Sequence, residues 1–195
     1  MTPRGRDPQL GNLKDVERNK STSRPFATLF CLLLCSSNFS CCGFDGQLRF
    51  LYLSNNELEQ LDEEALRSFG SHLEALNLAG NRLTRLPWPA LTNCPKLLHL
   101  NVADNVIEHV GDAMFEGWAA SLQVLTLKGN RISRLPAGLF RHAGQLRELT
   151  LSLNPLASYR EDSLLDLAHT LLTLELNMAL AKVGQWRFLP ICCVV

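Results

Sequence analysis

The sequence predicts an α/β repeat fold: a short curved solenoid, with parallel strands on its concave side and irregular or helical turns on its convex side. Three observations carry this prediction. Leucine fills 40 of 195 positions, an excess that points to a coiled coil, a membrane protein or a repeating structure, and the spacing decides among them. The longest apolar run, Phe26 to Cys35, has ten residues, half of the roughly 20 that a membrane-spanning helix needs. Five segments align without gaps at a nearly constant offset, which is the signature of repeated coils.

Residues 1–25 are polar and aperiodic, and are expected to be disordered. Residues 26–37 follow as an apolar segment. Six basic residues precede the run and Cys35-Ser36-Ser37 follows it, as in a signal peptide with a small-residue cleavage site. The long leader with Asp7, Asp15 and Glu17 speaks against that, and an apolar piece folded over the first coil is the competing reading. Residues 38–47 stand where an N-terminal cap would lie. They include the sequon Asn38-Phe-Ser40, a glycosylation site if the chain enters the secretory route. A second sequon, Asn19-Lys-Ser21, would be lost with a cleaved leader.

The repeats occupy residues 48–180. The first reads Leu48-Arg-Phe-Leu51-Tyr-Leu53-Ser-Asn-Asn56-Glu-Leu58, and equivalent segments start at Leu73, Leu97, Leu122 and Leu146. A sixth starts at Leu171 and breaks down where Ala179 replaces the asparagine. The pattern is L-x-x-L-x-L-x-x-N-x-L. Positions 4 and 6 lie two apart, so both point inward from one short strand. The amide at position 9 can donate and accept, and so can satisfy backbone groups of its own and the neighbouring coil. Asn56, Asn81, Asn105, Asn130 and Asn154 are therefore expected to form a structural ladder. Farther along, position 14 holds Leu61, Leu86, Val110, Leu135 and, more loosely, Tyr159. Position 19 holds Leu66, Leu91, Phe115, Phe140 and Leu164, and position 22 holds Phe69, Cys94, Trp118, Ala143 and Leu167. These are expected to pack the convex side. With 7% aromatic residues, the core is expected to be aliphatic.

This pattern resembles the leucine-rich repeat family, and Pro136-Ala-Gly-Leu-Phe140 resembles its 24-residue class, common in animal extracellular and receptor proteins. The resemblance implies a protein-binding module, secreted or at the cell surface, in adhesion, matrix or receptor-ectodomain settings. It also implies cysteine-rich caps at both ends. Cys41-Cys42 lacks the expected spacing, and after Asn154-Pro155-Leu156 the chain runs on to Leu171 with no cysteine, so neither cap is recognisable. An intracellular scaffold or adaptor is the alternative, because the cytosol keeps thiols reduced. Residues 181–195 form a divergent tail. Its end, Cys192-Cys-Val-Val195, has the form of a prenylation signal, which conflicts with secretion. Two ends that both depart from the family where caps belong also fit a truncated or alternatively spliced chain.

No nucleophile elbow, H-E-x-x-H, phosphate loop or dinucleotide motif occurs, so no enzyme is expected. No C-x-x-C pair with zinc spacing exists, and neither metal nor cofactor is expected. The concave face remains as the binding surface. Strand positions 3, 5 and 7 should line it, and the residues singled out are Phe50, Tyr52, Asn77, His99, Asn101, Thr126, Lys128, Glu148 and Thr150. Phe50 and Tyr52 are either interface anchors or a cover for the open end of the first coil. The repeats carry 11 basic and 15 acidic residues, a negative balance that disfavours nucleic acid. A protein ligand on the concave face is expected, while membrane association and oligomeric state leave no signature in these residues.

Overall fold

The computed structural model describes residues 48–156, 163–177 and 192–193. Its strands are β1 (Phe50–Tyr52), β2 (Ala75–Asn77), β3 (His99–Asn101), β4 (Val124–Thr126), β5 (Glu148–Thr150), β6 (Thr173–Glu175) and β7 (Cys192–Cys193). All lie in one sheet in chain order, and every neighbouring pair is parallel. Residues at the same repeat position pair along the six repeat strands: Leu51, Leu76, Leu100, Leu125, Leu149 and Leu174 form one continuous row. Each crossover is thus one coil of a curved solenoid.

The strands are short because only positions 4 and 6 must face inward. Each strand buries its central leucine and leaves the flanking residues more open. Positions 14, 19 and 22 are buried in every described coil, as the spacing requires. They lie under short turns rather than regular helices. Helix α1 (Trp88–Leu91) is the one α-helical turn among the described residues. It starts behind Pro87 and carries Pro89 in its first turn, where a missing N–H costs no hydrogen bond. Elsewhere 3-10 turns serve, at Glu63–Leu66, Gly70–His72, Asp112–Phe115, Ala119–Ser121 and Leu165–Leu167.

The strand side of the core is aliphatic, but the convex side of the middle coils is not. Phe115, Trp118 and Phe140 are almost fully buried. The Phe115 ring lies 5.6 Å from Trp118 and 5.3 Å from Phe140, centroid to centroid. Trp118 Nε1 donates to the Met114 carbonyl at 2.7 Å, so the indole is buried without an orphaned polar group. Three aromatics suffice because they are concentrated where two coils meet.

Coil length and side-chain size change together. The first leucines are 25 residues apart where position 22 holds Phe69, Trp118 or Leu167, or 24 apart where it holds Cys94 or Ala143. The residue added to the longer coils falls directly after the large side chain, in the turns Gly70–His72 and Ala119–Ser121. Large and small side chains therefore alternate along the convex layer, as close packing favours. Cys94 is such a small hydrophobe. It is buried, and burial pushes its thiol up to about 12, far from a reactive thiolate.

The asparagines form the expected ladder. In Asn105, Oδ1 accepts from Leu83 N–H at 3.0 Å, while Nδ2 donates to Leu78, Val102 and Ala103 carbonyls at 3.0–3.1 Å. Asn81, Asn130 and Asn154 repeat this arrangement. The carbonyl at position 6 thus accepts from two asparagines, its own and the next coil's; Leu78 O takes Asn81 and Asn105. Asn56 differs. It is half-buried and donates only within its own coil, to Leu53 and Ser54. At the other end Asn177, two residues before the missing ladder position, takes over part of the role. Its Oδ1 accepts from Leu153 N–H at 2.6 Å and its Nδ2 donates to the Asn154 carbonyl.

Position 8, just before the ladder, has positive φ in all five full coils: Asn55, Gly80, Asp104, Gly129 and Leu153. Asn and Asp tolerate this region and glycine is free in it, whereas leucine pays about 1 kcal/mol or more. Leu153 is also two-thirds exposed, at 67%, so little burial offsets the strain. Leu153→Asn should therefore raise stability by about 1 kcal/mol, read as a higher urea midpoint at unchanged slope. An unchanged or lower midpoint would mean that Leu153 packs more than its exposure indicates.

The leader, the apolar segment 26–37, the region 38–47 with Asn38, and Tyr159 lie outside the described residues. Of the tail, Cys192–Cys193 is described and pairs with Thr173 and Leu174. Its sequence leaves the repeat pattern, yet strand pairing uses only backbone groups, so the sheet continues into it.

Candidate functional site

Strand positions 3 and 5 alternate with the buried leucines, and the structure sets them out as two parallel columns. Position 3 reads Phe50, Ala75, His99, Val124, Glu148 and Thr173 across the sheet; position 5 reads Tyr52, Asn77, Asn101, Thr126, Thr150 and Glu175. The predicted site residues of these two columns therefore share one continuous surface. Position 7 departs from the expectation in two coils: Ala103 and Ser152 are buried, because the chain turns inward there towards the ladder. Ser54, Ala79, Lys128 and Asn177 in that column stay partly open; Lys128 has 44% of its side chain exposed and lies 3.6 Å from Glu175.

The two ends of the surface differ chemically. At β1, Phe50 is 41% and Tyr52 56% exposed, and the Arg49 guanidinium lies 5.4 Å from the Phe50 ring centroid. Arg49 also forms a two-pronged pair with Glu74, at 2.8 and 2.6 Å. Those hydrogen bonds hold the Glu74 carboxyl below its usual range. At the β5–β6 end, Glu175 accepts from Ser152 Oγ at 2.5 Å and faces Lys128, while Glu148 is exposed and has no ion pair among the described residues.

Asn77 and Asn101 have a polarity that the sequence did not disclose. Each Oδ1 accepts a backbone N–H two residues on, from Ala79 and from Ala103, both at 3.0 Å. The oxygen of each amide is thus engaged locally by one backbone N–H. Each Nδ2 has no partner among the described residues and is not buried, so both amides present donors to solvent. The signal was the short Asn-x-Ala spacing, in which an asparagine can bond its own backbone two residues on.

The histidines show no constellation. His99 lies on the concave face and is exposed, while His72, His109, His142 and His169 are exposed away from it. Among the described residues no three His, Cys, Asp or Glu side chains cluster as metal ligands, and no helix is long and apolar enough to cross a membrane.

The fold defines a repeat solenoid with one open, strand-lined face. Family models described as leucine-rich repeat match residues 47–69, 71–120 and 120–178. The chain belongs to the leucine-rich repeat family, whose members generally bind proteins. Among solved structures it is similar to one titled the crystal structure of APL1 leucine-rich repeat domain, with a TM-score of 0.60 at 22% identity. That similarity covers 68% of this chain and 34% of the other, so the chain matches about a third of that structure's length. A search among curated proteins gave no match.

Proposed function

We propose that this chain is a non-enzymatic protein-binding module that engages its ligand through the concave face, in a secreted or cell-surface setting. The observation that carries the binding site is the pair of columns at positions 3 and 5. They are held in strict register by six parallel strands, they end in two exposed aromatics, and they use none of their side chains to build the core. Rigid placement of this kind lowers the ordering cost of association. The family resemblance supports the secretory setting, and the sequon at Asn38 gives it a handle. The lack of a recognisable disulfide cap favours the second reading, an intracellular scaffold.

Two measurements test this. In animal cells, the expected result is protein in the medium carrying glycan on Asn38; a wholly cytosolic, unglycosylated product would remove the secretory reading. In affinity capture, Tyr52→Arg with Asn101→Arg should abolish retention of partners by the folded protein. Undiminished partners with intact folding would place the interface elsewhere.

A further inference from the structure

The concave face carries two recessed slots. In the position 3 column, Ala75 lies between Phe50 and His99, and Val124 lies between His99 and Glu148. Phe50, His99 and Glu148 are exposed, while Ala75 and Val124 are partly covered. Large and small side chains thus alternate across the sheet. Adjacent strands lie about 4.8 Å apart, so the slots above Ala75 and Val124 are separated by two spacings, about 9.6 Å. The first slot has aromatic walls, the Phe50 and His99 rings. In the position 5 column, Asn77 shares β2 with the slot above Ala75 and Asn101 lies on β3 between the two slots; each presents amide donors while its oxygen already accepts one backbone N–H.

We propose that this surface receives a proline-rich segment in the polyproline II conformation, lying across the strands. The inference rests on the reading of the concave face as the binding surface. Three features converge on it. A polyproline II helix rises about 3.1 Å per residue with three residues per turn, so side chains i and i+3 share a face about 9.3 Å apart, which fits the slots. An extended β-strand does not fit, because same-face residues recur every 6.6–6.8 Å or so. Proline-rich backbone lacks N–H groups but keeps its carbonyls, unsatisfied within the helix. A surface that offers amide donors at Asn77 and Asn101 suits that backbone. Finally, proline rings dock on aromatic-lined grooves, and the preformed helix loses little entropy on binding.

The test is titration of the folded chain with decaproline up to millimolar concentration, observed through the side-chain amide NMR signals of Asn77 and Asn101. A glycine-serine decapeptide is the comparison. The expected result is saturable shifts of both amides with decaproline alone. The double variant Asn77→Asp with Asn101→Asp keeps an oxygen for the Ala79 and Ala103 N–H groups but replaces each exposed donor with an acceptor. It should bind at least tenfold more weakly, and Ala75→Phe, which fills the first slot, should do the same. No shift with decaproline, equal shifts with the glycine-serine peptide, or undiminished binding by the aspartate variant would each overturn the proposal. If decaproline fails while Tyr52→Arg with Asn101→Arg still abolishes partner capture, the concave face keeps its role and only the ligand chemistry falls.

Discussion

Replacing Phe115 by alanine should lower stability by about 3–5 kcal/mol, the range for a fully buried aromatic truncated in a core. Its ring touches Trp118 within its own coil and Phe140 in the next, so the cavity would open at a coil–coil junction. In a solenoid each coil is held only by its neighbours, and this loss would fall on the contact between the third and fourth coils. Hydrogen exchange should therefore accelerate first at the Leu100 and Leu125 amides, while far-UV circular dichroism in water changes little. The exposed Phe50→Ala should cost well under 1 kcal/mol, as surface substitutions do. A Phe115→Ala cost below about 1 kcal/mol would show that the convex layer is not a true core. Because Phe115 does not reach the strands' outer face, ligand binding by the folded variant should be unchanged.

Asn105→Leu should cost on the order of 3 kcal/mol. The Leu83 N–H would lose its acceptor in the interior, and an unsatisfied buried donor alone costs about 1–3 kcal/mol. The leucine must also enter a site shaped for an amide surrounded by four backbone partners. The Leu78 carbonyl would keep its bond from Asn81, which limits the damage. Asn56→Leu should cost at most about 1 kcal/mol, since Asn56 is half-buried and bonds only its own coil. Denaturant titration of both variants reads the difference directly. Equal losses would mean that the bonds between coils add nothing to the ladder.

Much of this was legible because a coil uses the same few physical rules at each turn. The inward leucines, the asparagine ladder and the three convex positions follow from spacing, and the columns of Phe50, Tyr52, His99 and Glu148 follow from alternation along a strand. What stayed hidden depends on local bonding. The Asn-x-Ala hydrogen bonds leave Asn77 and Asn101 presenting donors, and the repeat spacing does not announce that, although the local Asn-x-Ala step permits it. Position 7 was placed on the open face by simple alternation, but the chain has left the strand by then, and Ala103 and Ser152 turn inside. The role of Asn177 was missed because it sits two residues away from where the ladder pattern expects an amide.

The alternation of coil lengths reaches beyond the convex side. Position 22 is large in the first, third and fifth coils; position 8 holds glycine in the second and fourth; and the protruding side chains of position 3 belong again to the first, third and fifth. Three separate layers thus keep the same beat, and the building block of this chain is a pair of coils spanning 49 residues from Leu48 to Lys96. A protein made this way grows or shrinks without a seam only by whole pairs. Removing one inner coil would set two bulky or two small convex side chains against each other, and likewise merge two ridges or two slots of the concave face. Removing two leaves every junction like one already present.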